Sequence, residues 1–261
     1  MTSQVRPQGA AATFDSVSIL GLPVHNLTMP LALEEIDRFV RSRTPHHIVT
    51  ADASMLVMAQ SDAGLHRIIC NAEMVTPDST GVLWAAKRHK GVLRERVSGV
   101  EIVERLCAAS AQRGYRIYFF GAAPGVAEAA AARMSEKYPG LAVAGTRDGF
   151  FQESDDSAIV EKIRASRADV LCVALGIPKQ EKWICAHRDA LQVPVLIGVG
   201  GTFDVLSGRV RRAPMLFRRI HLEWLWRLLS NPKKISKVAL LPRFVRMVLA
   251  SAVQTHGQPA R

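Results

Sequence analysis

An aspartate at position 78 is the first candidate for chemistry in this sequence. Asp78 stands where the chain leaves a short apolar stretch, and a carboxylate there could act as a general base that takes a proton from an attacking hydroxyl. The same residue could instead cap the helix that is predicted to begin near Ser79. Spacing alone does not choose among Asp78 and three competitors, which are Asp52, Asp148 and Asp204.

A glycine-rich turn at residues 121–125 could bind a phosphate. It lies between an apolar strand and an alanine-rich helix, and the N-terminus of that helix offers free N–H groups to an anion. The turn matches neither the G-x-G-x-x-G dinucleotide fingerprint nor a P-loop, and a plain tight turn is an equal alternative. Gly121 and Gly125 are therefore candidate ligand-binding positions.

The sequence contains no recognisable metal-binding motif. Its eight histidines do not show H-E-x-x-H spacing, and there is no D-x-D triplet of the kind with which many nucleotide-sugar enzymes hold a divalent ion. We therefore expect no metal. Any diphosphate would be faced by arginine and lysine side chains, which are fixed cationic donors.

Short apolar stretches that alternate with helical patterns must position these residues. The stretches are apolar throughout, as is typical of parallel strands covered by helices on both faces. The predicted strands are 17–24, 47–50, 74–76, 116–120, 141–145, 170–175 and 195–199. The predicted helices are 30–42, 54–71, 81–89, 100–112, 125–138, 156–166 and 179–190. This alternation predicts an α/β fold with a Rossmann-like, doubly wound and mostly parallel sheet.

Nearly every predicted strand runs directly into a polar or glycine-rich cluster. In an open parallel sheet, ligands bind outside the carboxyl ends of the strands. We therefore expect these clusters to converge on one edge of the sheet.

The net charge of +11 arises at the C-terminal end of the chain. Residues 1–208 contain 22 basic and 22 acidic side chains, whereas residues 209–261 contain 12 basic side chains and one acidic side chain. Such an asymmetry indicates a tail that meets nucleic acid, acidic lipid headgroups or a polyphosphate, and a solvated basic helix is the alternative. We divide the chain into a flexible leader (1–15), an α/β catalytic domain (16–208) and a basic, helical C-terminal appendage (209–261).

The last predicted helix, 233–253, has an apolar face flanked by cations. Such a helix suits a membrane interface, and a helix docked on the domain core is an equal alternative. Pro242 predicts a kink or a break. The apolar face consists of Leu240, Leu241, Phe244, Val245, Val248 and Leu249.

The remaining features predict a cytoplasmic protein. The first residues lack the apolar region of a secretory signal, and no stretch reaches the roughly 18 apolar residues of a spanning helix. The four cysteines form no close pairs, so we expect reduced thiols in the core.

Several strings in the chain resemble the WecG/TagA/CpsF family of bacterial glycosyltransferases, glycosyltransferase family 26. They occur in the family's order between about residues 17 and 245, and three of them, P-K-Q-E, R-A-P and L-E-W-x-x-R-L, are highly specific together. The strings begin at Thr50, Pro77, Arg96, Gly176, Gly198, Arg212 and Leu222.

This resemblance implies an inverting, metal-independent transferase without a cofactor. Family members move N-acetylmannosamine, its uronic acid or glucose from a UDP-sugar to a sugar on a polyprenyl diphosphate, in the synthesis of teichoic-acid linkage units, enterobacterial common antigen or exopolysaccharide. The resemblance also implies a peripheral protein on the inner face of the cytoplasmic membrane. A homo-oligomer is left open.

The resemblance carries roles to individual residues. Asp78 corresponds to the proposed catalytic base. The corresponding pocket residues are Thr50, Asp52, Arg96 and Gln180. The corresponding basic positions of an appendage that closes over the donor diphosphate near the membrane are Arg227, Lys234 and Lys237.

The chain departs from the family's pattern at several positions. Asp52 stands where Asn is usual, which adds a negative charge to the pocket and could change the sugar that is tolerated. Ser79 replaces a glycine after the catalytic aspartate. Lys234 and Lys237 replace arginines, so they keep the charge but lose bidentate phosphate geometry.

Two other functions are compatible with parts of the pattern. The sheet would suit a nucleotide-cofactor oxidoreductase, but the missing dinucleotide fingerprint argues against this function. The arginine-rich tail would suit a nucleic-acid-binding protein, but its interleaved tryptophans and leucines favour an apolar surface, so we expect no nucleic acid as a partner.

Overall fold

The computed structural model describes residues 14–210 and 239–256. In chain order the strands of these segments are β1 (Ser16–Ile19), β2 (Leu22–His25), β3 (His46–Ala51), β4 (Met74–Pro77), β5 (Arg116–Gly121), β6 (Ala142–Arg147), β7 (Val170–Ala174) and β8 (Val195–Gly198). Six of them form one sheet in the order β4-β3-β8-β7-β5-β6, and every neighbouring pair is parallel. The predicted α/β, Rossmann-like parallel sheet is therefore confirmed.

Helices cover both faces of this sheet. In chain order they are α1 (Met29–Ser42), α2 (Ala53–Met58), α3 (Ala63–Asn71), α4 (Thr80–Arg88), α5 (Gly99–Arg113), α6 (Val126–Lys137), α7 (Asp156–Ala165), α8 (Lys179–Leu191), α9 (Thr202–Leu206) and α10 (Leu240–His256).

The central strands are apolar throughout because each face of the sheet has its own core. Successive side chains of a strand point to opposite faces. In β5, Ile117 and Phe119 pack with residues of α1, α5 and α6, whereas Tyr118 and Phe120 pack with residues of α7 and α8. Burial on both sides is thus the physical reason for the unbroken apolar pattern.

The first predicted strand, 17–24, is wrong in form. The structure divides it into β1 and β2, which pair antiparallel around a turn at Leu20 and Gly21. This hairpin is a separate two-stranded sheet, so it adds no strand to the parallel sheet. The apolar pattern runs through the turn because Leu20 packs on the core, and this continuity concealed the turn.

The single helix predicted for 54–71 is also wrong, since the structure has α2 and α3 in its place. The chain turns between them, and the Asp62 carboxylate accepts a hydrogen bond from the Leu65 backbone N–H at 3.0 Å. Asp62 is therefore an N-cap that starts a new helix.

Helix α10 is docked on the body of the protein. It packs against α2 and α4, and Phe244 and Val248 are 1% and 0% exposed. Val245 and Leu249, in contrast, are each 42% exposed. The predicted apolar face is thus shared between the core and solvent.

The other predictions for the last helix have mixed outcomes. The break predicted at Pro242 is present, since residue 239 is in a turn and α10 begins at Leu240; Pro242 thus lies in the first turn of the helix, where it removes no intrahelical hydrogen bond. The predicted start at 233 lies outside the described residues. No helix within the described ranges is long and apolar enough to cross a bilayer.

The prediction of core thiols holds for only half of the cysteines. Cys107 and Cys172 are buried, whereas Cys70 and Cys185 are exposed. The exposed cysteines lie on the outer faces of α3 and α8. Their apolar neighbours in sequence are the buried side of each helix, which misled the prediction.

Candidate active site

The site is built on the carboxyl ends of β3 and β4. These parallel strands pair Thr50 with Thr76 and Ala51 with Pro77, so Asp52 and Asp78 follow at neighbouring positions. The Asp78 backbone N–H donates to the Ala51 carbonyl at 2.9 Å, which extends the pairing by one bond. The expected convergence of polar residues is therefore present at these two strand ends.

Asp78 faces the start of α5. Its Oδ1 atom accepts a hydrogen bond from the backbone N–H of Gly99, the first residue of that helix, at 3.3 Å. The positive end of a helix favours a negative charge beside it. The alternative role of capping α4 belongs to Ser79, whose hydroxyl accepts from the Val82 N–H at 3.4 Å.

The three competing aspartates have other local roles. Asp52 Oδ1 caps α2 by accepting from the Met55 N–H at 2.8 Å and from the Ser54 hydroxyl at 2.6 Å. Asp148 accepts from the N–H of residue 150 in its own loop at 2.8 Å. Asp204 lies within α9. Asp78, by comparison, is held against the N-terminus of a helix distant in sequence.

Thr50 links the strand ends to α5. It is 5% exposed, and its hydroxyl donates to the Gly198 carbonyl at the end of β8 at 2.7 Å. A Cβ on Gly99 would lie 3.4 Å from Thr50 Cγ2, so the start of α5 packs closely on this side chain. Thr50 thus holds the element whose N–H contacts Asp78.

Gln180 is in the first turn of α8 and is 1% exposed. Its Oε1 accepts from the Gly176 N–H at 3.1 Å and from the Gly200 N–H at 2.9 Å. Its Nε2 donates to Glu181 Oε1 at 2.7 Å. The structure brings Gln180 to the same edge as Thr50, but with its amide engaged within the protein.

Arg96 lies at the same end of α5 as Asp78. Its guanidinium is 3.6 Å from the carboxylate of Glu101 in the first turn of α5, and its side chain is about one-fifth exposed. A fixed cation, paired with Glu101, thus lies near the edge that holds the two strand-end aspartates.

The two candidate glycines of the 121–125 turn differ in their surroundings. Gly121 is buried, and a Cβ there would lie 2.6 Å from the Ala174 backbone of β7, so only glycine allows this approach of neighbouring strands. Gly125 is exposed at the N-cap of α6. The geometry of Gly121 matches the tight-turn interpretation, whereas Gly125 keeps an open helix N-terminus. Ligand binding at either position stays a prediction.

The basic appendage residues Arg227, Lys234 and Lys237 lie outside the described residues. Their roles are therefore carried by the sequence resemblance alone.

Two features of this edge were missed by sequence reasoning. Glu181 is 0% exposed beside Gln180, and its signal was the acid of the P-K-Q-E string. Phe150, in the loop after β6, is 72% exposed, which is unusual for a large aromatic. The Gly149 N–H donates to the Ala122 carbonyl at 2.8 Å, so Phe150 stands beside the 121–125 turn. Such a ring could stack on a planar base.

His47 and Cys107 have shifted pKa values, but they lie outside this site. His47 is near the opposite end of β3, and burial, together with the smaller effect of the Arg188 charge, lowers its pKa to about 3. Burial raises the pKa of Cys107, on α5, to about 12. Within residues 14–210 and 239–256, no group of three or more His, Cys, Asp or Glu residues is placed to hold a metal ion.

The sequence of the chain is similar to those of several known proteins. A family model described as the glycosyl transferase WecG/TagA/CpsF family matches residues 17–258. A Bacillus spizizenii protein named N-acetylglucosaminyldiphosphoundecaprenol N-acetyl-beta-D-mannosaminyltransferase is 36% identical over 202 residues, covering 77% of this chain and 78% of that protein. A Staphylococcus aureus protein of the same name is 31% identical over 231 residues, covering 88% of this chain and 90% of its own.

Proposed function

Because the chain belongs to the WecG/TagA/CpsF family of glycosyltransferases, we propose that this hexosyltransferase moves N-acetylmannosamine from a UDP-sugar to N-acetylglucosamine on a polyprenyl diphosphate. The acceptor and the transferred sugar are those in the names of the two relatives. The family favours this chemistry over the oxidoreductase and nucleic-acid-binding alternatives.

The observation that carries the proposal is the placement of Asp78. A carboxylate at a strand end, held by the N–H of Gly99 at 3.3 Å, is suited to accept a proton from a substrate hydroxyl. The helix N-terminus favours a negative charge beside it, and its N–H fixes the direction of the carboxylate. Arg96 at the same end of α5 supplies a cation for an anionic substrate.

In the proposed reaction Asp78 takes the proton of the acceptor hydroxyl. The hydroxyl oxygen forms a bond to the anomeric carbon of the donor sugar, from the face opposite UDP. The bond between that carbon and the diphosphate oxygen breaks, and its electron pair leaves with UDP. Asp78 later releases the proton to solvent.

The stereochemistry is consistent with a single displacement. The two relatives are named for a β-linked product. A single displacement inverts the anomeric carbon, so an α-linked UDP-sugar gives a β-linked product. One carboxylate base is sufficient for this route, because no covalent sugar–enzyme intermediate is needed.

The leaving diphosphate requires positive charge in the transition state. We assign this role to Arg227, Lys234 and Lys237, on the basis of the family pattern, in an otherwise metal-independent and cofactor-free reaction. Cationic groups aimed at developing charge are an effective form of catalysis.

The acceptor also places the enzyme at a membrane surface. We propose that α10 contributes to this contact, because Val245 and Leu249 are each 42% exposed and Arg243 and Arg246 are exposed on the same helix. Apolar side chains flanked by cations suit the interface of a bilayer with anionic headgroups. A peripheral protein on the inner face of the cytoplasmic membrane would meet both substrates there.

A panel of donors tests the proposal. The purified protein is incubated with N-acetylglucosaminyl-diphosphoundecaprenol and UDP-N-acetylmannosamine, its uronic acid or UDP-glucose, and the lipid product is identified by mass. We expect N-acetylmannosamine to be transferred, with and without EDTA. Transfer of another sugar would show that the proposed donor is wrong. Loss of activity in EDTA would show that the reaction needs a metal. If no UDP-sugar supports transfer, the proposed reaction is overturned.

A further inference from the structure

Gln180 and Glu181 form a buried pair beneath the catalytic edge. They are 1% and 0% exposed, and the Gln180 amide nitrogen donates to Glu181 Oε1 at 2.7 Å. A hydrogen bond to a buried carboxylate is stronger than one between neutral groups. The bond therefore fixes which end of the Gln180 amide is the oxygen and which is the nitrogen.

The Gln180 oxygen joins the loops that follow two adjacent strands. It accepts from Gly176 N, after β7, at 3.1 Å and from Gly200 N, after β8, at 2.9 Å. An amide oxygen has two lone pairs, so both are in use. The side chain thus acts as a tie between the β7 and β8 loops.

The pair also packs directly on the end of β8. A Cβ on Gly198 would lie 2.7 Å from Gln180 Nε2 and 2.9 Å from Glu181 Oε1, so only a glycine fits against it. The carbonyl of the same Gly198 accepts the Thr50 hydroxyl at 2.7 Å. The pair and Thr50 therefore contact the same residue at the end of β8.

Contacts continue from Thr50 to the catalytic carboxylate. Thr50 packs against Gly99, and the Gly99 N–H donates to Asp78 at 3.3 Å. Each step in this path is a direct contact between groups that are fixed by packing or hydrogen bonding. A displacement of the pair would therefore be transmitted to the direction of Asp78.

We propose that Gln180 and Glu181 are positioning residues, which act on the reaction through the β7 and β8 loops and Thr50 rather than by touching substrate. The inference rests on the proposed function, since the Asp78 carboxylate is the group to be positioned. Catalysis is sensitive to such placement, because a displacement of about 1 Å can cost a factor of about 100 in rate.

An exchange of the two side chains tests this role. The single variant Gln180→Glu places two carboxylates against each other and removes the amide donor. In the double variant Gln180→Glu/Glu181→Gln, a carboxylate at 180 can accept from both glycine N–H groups and from the new amide at 181. The exchange restores the bond between the two side chains and the bonds to Gly176 and Gly200, but leaves residue 180 with no N–H for a substrate.

We expect Gln180→Glu to lower kcat at least about 100-fold with a change in KM for the UDP-sugar below about threefold. The double variant should recover at least about 10-fold of that loss. A folded double variant that recovers less shows that the Gln180 amide itself contacts substrate, and a fully active Gln180→Glu shows that the tie is dispensable; either result overturns the proposal. If Gln180→Glu does not fold, a double variant with at least about 10% of the wild-type kcat supports the proposal, and a folded one below that value overturns it.

Hydrogen exchange gives a readout that does not depend on transfer. In the wild type, the Gly200 N–H is bonded to Gln180, so the peptide around residues 195–204 should exchange slowly. Its protection should fall in Gln180→Glu, because repulsion between the two carboxylates moves residue 180 away from the Gly200 N–H, and it should return in the double variant. Unchanged protection in the single variant overturns the tie. If the wild type transfers no sugar but protection still falls in Gln180→Glu and returns in the double variant, the proposed function is refuted and the tie remains supported.

Discussion

The Asp78 carboxylate accepts a hydrogen bond from the Gly99 backbone N–H at 3.3 Å, although the two residues lie 21 positions apart in the chain. Asp78 directly follows β4, and Gly99 begins the 15-residue helix α5. The contact therefore joins a strand end to a helix dipole that favours negative charge. Asp52 and Asp148, in contrast, accept hydrogen bonds from N–H groups within their own turns.

Replacement of Asp78 by Asn should lower turnover by a factor of about 10² to 10⁴, because the amide keeps the shape of the side chain but cannot accept the proton. The affinity for UDP should change little. Initial rates with a radiolabelled donor and calorimetric titration of UDP measure the two effects. Asp148→Asn is the matched control, since Asp148 bonds within its own loop, and it should stay near wild-type activity. Full activity of Asp78→Asn would remove Asp78 from the role of base.

Replacement of Asp52 by Asn should lower KM for the UDP-sugar by about three- to tenfold at low salt, since a carboxylate beside the pocket repels an anionic substrate. Asn caps helices as well as Asp does, so the thermal midpoint should stay nearly unchanged. Steady-state kinetics at low and high salt provide the measurement. A KM that rises more than about tenfold would mean that the carboxylate binds the sugar directly.

The double variant Val245→Glu/Leu249→Glu should weaken binding to phosphatidylglycerol vesicles at least about tenfold. The change removes two apolar side chains and adds two negative charges, which the anionic headgroups repel. Both side chains are 42% exposed, so folding should be preserved. Leu31→Glu on α1 is the control, because Leu31 is 40% exposed on another helix. Co-sedimentation of wild type and double variant to the same extent would exclude this face of α10 from the contact.

Stability should decrease as the pH falls from about 6.5 toward 3, because the folded state keeps His47 neutral while the unfolded chain takes up a proton. Burial lowers the His47 pKa to about 3, so its unfavourable contribution is absent above the unfolded pKa and grows as the pH falls. Urea titrations at pH 7, 6, 5 and 4 give the free energy of unfolding at each pH. His47→Leu should reduce the slope of this free energy against pH by about 1 kcal/mol per pH unit. An unchanged slope would contradict the assignment. Transfer at neutral pH should be unaffected, since His47 is remote from the carboxyl edge.

The sequence was most informative where burial controls the pattern. Strands buried on both faces must be apolar at every position, and this requirement predicted the parallel sheet and the edge that collects Asp52, Asp78 and Gln180. The same patterning hid the β1–β2 turn, since Leu20 is apolar and packs on the core. Hydrophobic patterning reports burial, and it is silent about a change of chain direction within a buried segment.

Contacts between distant residues could not be predicted in this way. Nothing in the local sequence of Gly99 indicates that its N–H meets Asp78, and nothing around Gln180 indicates that its oxygen joins two loops. Capping was also ambiguous, because both Asp78 and Ser79 are good N-cap residues and only the packed structure assigns the cap to Ser79.

The packing of α10 on α4 limits the distance between β4 and a bilayer bound at α10. Packed helices stand about 8–10 Å apart, so a bilayer resting on the outer side of α10 stays within a few helix widths of β4. A lipid-linked acceptor would then hold its sugar at a set distance from this edge, whereas a soluble glycan would not be held there. The enzyme would then select its acceptor partly by the distance of the sugar from the bilayer surface.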